Sequence, residues 1–326
     1  MALTVAEYAK IAINEGRTLV PQIINWFLPE TYIGQIMPWA TDKALAVQVP
    51  TVYSLPTVGT RKVGASFSAS HGKYDTIVES KYILGHYIDV DVVLAKAGNT
   101  IVDMRQHQRK LSAEAMAFNL NNMFLNGDPA SDEFKGLLTR IDDVYAAGYT
   151  NQYFDAGSVA SAGRGVNYDT TERHAMLDNI DKLIDVIVGH RPSAIFMNGK
   201  LKLCISSAAR HEKLLRYDKD MTGRVMAMYG DSDVPLINIG TTSDLSTEIL
   251  PNSETLSGGT DETSMVAVRF GEKEYVWGIQ QEPLNVTDQG LTHPNYRDVV
   301  EWVVGIARGN PMSIARAYGF VADAGA

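Results

Sequence analysis

Apolar and polar positions change period several times along the chain, and each change marks an element. Val5, Tyr8, Ile11 and Ala12 recur at helical spacing, and Ile23, Ile24, Phe27 and Leu28 resume it after Pro21. They predict an amphipathic segment over residues 1–38 with more apolar surface than a free tail carries, so it lies along its own body or along a neighbour. From Ala44 the period is two. Leu45, Val47 and Val49 alternate, and a second extended stretch from Tyr74 to Leu94 puts Ile88, Val90, Val92 and Leu94 on one face. Between the two stand Pro50, Pro56, Gly59 and Gly64, with Arg61 and Lys62 between the glycines. Two long strands around a Gly/Pro-rich basic tip predict a protruding hairpin.

Asn99 to Leu125 predicts the strongest helix, with Ile101, Met104, Leu111, Ala115, Phe118 and Leu125 on one stripe and Arg105, Arg109 and Glu114 off it. Asn99 can cap its start, and Asn126-Gly127 offers a left-handed stop. At about 1.5 Å per residue it is on the order of 40 Å long, which makes it a structural spine. Residues 143–170 are rich in Gly, Ala, Ser, Asn and Tyr and predict a loop. Asp169 with Glu172 then caps a helix carrying Leu177, Ile180, Ile184 and Ile187. A strand from Ala194 to Met197 and a helix through Leu201, Cys204, Ile205 and Ala208 follow. Val234 to Ile237 predicts a short strand and 241–263 a polar loop. Met265–Phe270 and Tyr275–Ile279, around Gly271-Glu272-Lys273, predict a hairpin. Asp298 to Tyr318 is the last extended stretch, interrupted by a bend at Gly309-Asn310-Pro311.

Composition adds limits. The chain of 326 residues is 45% hydrophobic and 21% charged, an ordinary globular balance long enough for two domains. No run approaches 18 apolar residues, so no membrane span is expected, and one cysteine, Cys204, cannot form an internal disulfide. Its place on an apolar helical stripe predicts a buried, inert thiol. The net charge is −9, against the basic surface that tight phosphate-backbone binding requires.

Familiar chemical signatures are missing. Neither GxGxxG nor GxxxxGK[ST] occurs, and there is no HExxH. Asp218-Lys219-Asp220-Met221-Thr222-Gly223 imitates a calcium loop, but Tyr229 stands where its bidentate glutamate belongs. Ser68, Ser70 and His71 are neighbours in sequence without a nucleophile elbow around them. We assign no catalytic, cofactor-binding or metal-binding residue.

The order of parts resembles a tailed-bacteriophage major capsid protein of the Hong Kong 97 fold. The local resemblance lies in Phe124-Leu125-Asn126-Gly127-Asp128 with Phe134-Lys135-Gly136-Leu137, in Ala194-Ile195-Phe196-Met197-Asn198, in Val286-Thr287-Asp288-Gln289-Gly290, and in Val304-Gly305-Ile306-Ala307 with Asn310-Pro311 and Ala315-Arg316. It implies an α+β fold with an N-terminal arm (1–40), an extended β-hairpin loop (41–82), a peripheral domain with the spine helix (83–149), an axial domain (150–284), and a return to the peripheral domain with the C-terminal strand (285–326). It further implies self-assembly into hexamers and pentamers of an icosahedral head around double-stranded DNA, without sequence-specific DNA binding. A separate scaffolding protein and a portal would be partners, no membrane would be involved, and the protein would reside in the virion after assembly in the bacterial cytoplasm. An encapsulin-type compartment shell is the alternative within the same fold; a soluble α+β small-molecule enzyme is the alternative outside it. For a shell, the expected contacts with neighbours are Tyr8, Ile11, Phe27 and Leu28 of the arm and Arg61 and Lys62 of the tip.

Overall fold

A computed structural model describes residues 19–96, 104–156, 170–219, 223–230, 232–259 and 261–321. Tyr8, Ile11, Asn99, Ile101 and Asp169 lie outside the described residues. The chain begins with α1 (Leu19–Phe27), α2 (Tyr32–Ile36) and β1 (Trp39–Thr41). β2 (Ala46–Ser54) and β3 (Lys73–Ser80) pair antiparallel as a two-stranded sheet of their own, the expected hairpin. β4 (Tyr82–Asp91), α3 (Val92–Lys96), the long α4 (Met104–Asn126), α5 (Leu137–Ala146) and β5 (Tyr153–Asp155) follow, so helix and strand reach into what the sequence predicts as loop. α6 (Thr170–Asp185), β6 (Ala194–Met197), α7 (Gly199–His211), β7 (Leu215–Lys219), β8 (Val225–Tyr229) and β9 (Val234–Asn238) complete the middle of the chain. β10 (Glu262–Val268), β11 (Val276–Gln280), β12 (Asn285–Thr292), β13 (Asn295–Arg308) and β14 (Ile314–Val321) close it.

Two larger sheets result. One runs β1-β11-β13-β12, with β4 also paired along β13 from Asn295↔Asp91 to Val304↔Tyr82. The other runs β5-β14-β10-β6-β9-β8-β7. Its central strands β14, β10 and β6 are buried on both faces by simple alternation. Phe196, Val266, Val268 and Ile314 share a core with α1 and α4, while Ile195, Met197, Met265, Ala267 and Ala315 share one with α6 and α7. Asn198 caps α7 by accepting the Leu201 N–H at 2.8 Å, and Cys204 is buried as its stripe predicts.

Several expectations need correction. Met265–Phe270 and Tyr275–Ile279 do not form a hairpin: β10 pairs with β14 and β6, whereas β11 pairs with β13 and β1. The chain crosses between sheets there, and the bend after β13 crosses back, so β14 joins the second sheet rather than staying with β12 and β13. The two crossings lie side by side, Arg269 N–H donating to Ser313 O and Gly309 N–H to Tyr275 O, each at 2.8 Å. On α4 the buried residues include Ala113, Met116, Ala117, Leu120, Phe124 and, from the expected stripe, Leu125, while Leu111 is exposed and Ala115 and Phe118 are half-buried. The sheet-facing stripe is polar at its start, Arg105 and Arg109, and apolar only afterwards; that misleads a reading by hydrophobicity. Gly127 is no left-handed stop. It lets backbones meet: Gly136 N–H donates to Gly127 O at 2.8 Å, and a Cβ on Gly127 would sit 2.2 Å from Phe134 O.

Candidate assembly surface

The hairpin leaves the body through a polar root. Glu79, buried at the end of β3, receives the Arg140 guanidinium of α5 in a two-pronged ion pair, Nη2 to Oε2 at 2.8 Å. Arg140 also donates to Ile306 O from Nη2 and to Lys135 O from Nε, each at 2.8 Å. Lys81, just past β3, donates from Nζ to Ala44 O at 2.8 Å, to Gln280 O at 3.3 Å and to Asp42 O. Desolvation lowers its pKa, with the Asp42 charge opposing. Tyr149 hydroxyl donates to Tyr53 O at 2.9 Å, and Val49 packs with Trp277, Ile279 and Ala307. Arg308 is buried beside this group, and burial together with the like charge of Arg140 lowers its pKa.

The tip is built differently. Residues 55–72 contain no acid, and all of them are exposed. Leu55 is 81% exposed, Val58 91% and Phe67 66%, and Val63 is fully exposed. The loop turns at Gly64, whose φ of +87° suits glycine, with Ala65 N–H donating to Lys62 O at 3.1 Å. Arg61 donates from Nη1 to Ala65 O at 3.1 Å, and its guanidinium lies 5.2 Å from the centre of the Phe67 ring. Ser70 Oγ accepts the Thr57 N–H at 2.8 Å, a loop-bracing bond rather than part of a triad.

The arm residues divide. Phe27 has no exposed surface; with Ile23 and Ile24 it packs on α4 in this chain's own core, so nothing of Phe27 remains for a neighbour. Leu28 is partly buried against the same core. The sequence placed the apolar stripe correctly, but the structure spends that part of it internally.

Sequence reasoning missed a second charged cluster. Asp298, buried on β13, accepts from Arg105 Nη2 at 2.6 Å and Arg109 Nε at 2.8 Å, both from α4. Asp288 on β12 meets Arg105 at 2.6 Å. Burial alone would raise the Asp288 pKa, but hydrogen bonds from Arg105 and the Gly290 N–H hold it below the usual carboxylate range. The cluster ties the spine helix to both strands of the β12–β13 hairpin. The signal available in sequence was the i,i+4 pair Arg105 and Arg109 on an otherwise amphipathic helix.

A cavity of about 480 Å³ opens where the hairpin meets the first sheet, walled by Val47 and Val49 of β2 and by Trp39, Trp277 and Leu284. Among the described residues no group of three or more metal-ligating side chains occurs, and no helix is long and apolar enough to cross a membrane.

Residues 21–168 match the family model described as major capsid protein GP7. No curated protein matches the chain. Among solved structures, the holo-SrpI encapsulin complex from Synechococcus elongatus PCC 7942 is similar with a TM-score of 0.63 at 13% identity, covering 92% of this chain and 90% of that one. The capsid of the native GTA particle is similar with a TM-score of 0.57 at 15% identity, covering 89% and 90%. A structure of Mycobacterium phage Bobi gives 0.56 at 11% identity, covering 88% and 89%. At such identities the likeness is one of fold, and that fold, α+β, is the Hong Kong 97 type.

Proposed function

We infer that this chain is a structural shell subunit, a major capsid protein of the Hong Kong 97 fold, whose copies assemble into hexamers and pentamers of an icosahedral phage head. The observation that carries the reading is the joint one: a match to the major capsid protein model over residues 21–168 and a likeness of fold to the capsid of a GTA particle over 89% of this chain. The physical design agrees with it. A closed shell repeats one contact many times, so each contact can be modest, and a protruding, uncovered hairpin supplies such a contact. Tyr8, Ile11 and Leu28 of the arm and Arg61 and Lys62 of the tip remain the proposed meeting points with neighbours.

The head encloses double-stranded DNA without reading its sequence. A net charge of −9 suits a container whose wall must not grip phosphates. The subunits assemble in the bacterial cytoplasm with a separate scaffolding protein and a portal, and they act without catalysis. The likeness to the encapsulin complex supports a second reading, a bacterial compartment shell around a protein cargo. Negative-stain microscopy and sizing of the purified protein test the shell itself: closed megadalton particles are expected, and a stable monomer or dimer would contradict it. Particle contents, nucleic acid or protein, separate the two shells.

A further inference from the structure

Arg308 ends β13 where the chain is about to cross between sheets, and the hairpin touches its backbone there: Thr51 Oγ1 donates to Arg308 O at 3.4 Å. The residue is only 5% exposed, yet its guanidinium has little to hold. Nη1 donates to Arg140 O at 3.4 Å, and among the described residues Nε meets no acceptor and Nη2 makes no hydrogen bond. The two carboxylates close enough to act on it are engaged elsewhere. Glu79 is gripped by Arg140, and Asp143 by Lys135. Two anions thus face three cations, and the guanidinium left over is a buried one. A buried charge is strongly unfavourable unless it is paired and hydrogen-bonded.

The free edge of this guanidinium has a defined chemistry. Nε and Nη2 present two parallel N–H groups, a fork that fits two oxygens of one oxyanion. Elsewhere in the molecule the same edge is used for that purpose. Arg109 holds Asp298 through Nε at 2.8 Å and Nη2 at 2.9 Å, and Arg297 holds Asp89 at 2.7 Å and 2.6 Å. We propose that the Arg308 edge is a binding site for a small free oxyanion, of the size of phosphate or sulfate, at the junction of β2, α5 and the crossing between the sheets. So little exposed surface admits a free ion rather than a phosphate carried on a polymer. Bound there, the ion neutralises the root of the hairpin and stabilises the place where β2 and β13 leave for different parts of the fold. The site does not depend on the shell reading.

The test is thermal unfolding of the full chain, dialysed into sodium chloride, with chloride then exchanged stepwise for phosphate or sulfate at constant pH and ionic strength. The wild type should gain a few degrees along a saturating curve, as with any ligand that binds only the native state. Arg308→Met should melt at or above the wild type in chloride alone, because an apolar side chain replaces an unpaired buried charge, and it should lose the saturating gain. Arg308→Lys keeps the charge without the fork and should need more phosphate for the same gain. An equal rise in the wild type and Arg308→Met would reflect general exclusion of these ions from the surface and would overturn the site. Titration calorimetry of inorganic phosphate into the wild type decides the matter without a variant: one ion per chain is expected, and no binding would overturn the proposal. A DNA oligonucleotide at the same phosphate concentration should give no saturating gain. A gain from DNA and none from inorganic phosphate would overturn the assignment to a free ion.

Discussion

At the root of the hairpin, Glu79 and Lys81 are buried and held by groups from α5, β11 and neighbouring backbone, whereas at the tip Leu55, Val58, Val63 and Phe67 stand in solvent. One end holds charge under cover; the other leaves large apolar side chains bare. Both reverse the usual partition, and for related reasons. A buried ion pair adds little net stability over a well-packed apolar replacement, but it has one good geometry. The two-pronged Glu79–Arg140 pair thereby fixes how β3 leaves the body. The tip gains nothing from this chain's own interior. On the proposed shell reading its apolar surface is there for another molecule, and a fixed root is what would aim it.

The largest expected effect comes from breaking the root at its charge pair. Arg140→Met leaves Glu79 buried without its partner and should cost about 3–5 kcal/mol in denaturant unfolding. Pairing it with Glu79→Leu should recover much of that loss; if the double variant is as unstable as the single, the pair is not the source. Lys81→Met removes the donor for three backbone carbonyls and should cost about 1–3 kcal/mol. Equal unfolding midpoints for this variant and the wild type would mean those carbonyls find water instead.

A smaller effect concerns the other charged anchor. The folded-state pKa of Asp288 is depressed, so its contribution is complete above the unfolded value of about 3.9 and is lost as pH falls through the folded value. The Asp288→Asn variant should therefore show a shallower loss of stability below about pH 4 than the wild type, measured by thermal unfolding across a pH series. Identical acid limbs would contradict the assignment. The smallest stability effect belongs to the tip. Arg61→Glu with Lys62→Glu should change monomer unfolding by less than about 0.5 kcal/mol, as for surface sites generally, while lowering shell yield. High salt should weaken wild-type assembly in the same direction. Wild-type yield from the double variant would show that the tip charges touch nothing.

The contrast between root and tip also marks what sequence could and could not reveal. The hairpin was legible because period-two alternation flanks a Gly/Pro-rich basic loop, both local signals. So was the burial of Cys204, which follows from helical spacing alone. The root was not legible: Glu79 and Arg140 are 61 residues apart, and nothing near either one announces the other. The weak signal that went unread was Arg308, at the end of apolar β13, and Arg316, within apolar β14, both of them buried. The sheet crossings were hidden for a similar reason. Phe270 and Val276 flank a short turn like any hairpin, but Val268 pairs with Ile314 and Val276 with Arg308, partners that only the tertiary fold supplies. The face of α4 was misread because Arg105 and Arg109 occupy its inward stripe, where Asp298 makes charge acceptable.

The central claim is that the root serves this chain's own fold and the tip serves assembly, and shortening the tip tests it most directly. Residues 55–72 would be replaced by Asn-Gly, a two-residue turn able to join β2 to β3. Particle yield by electron microscopy is the measurement, taken on protein whose thermal unfolding is first shown to match the wild type. The account predicts a folded subunit that forms no closed shells. Normal shells from that protein would contradict it.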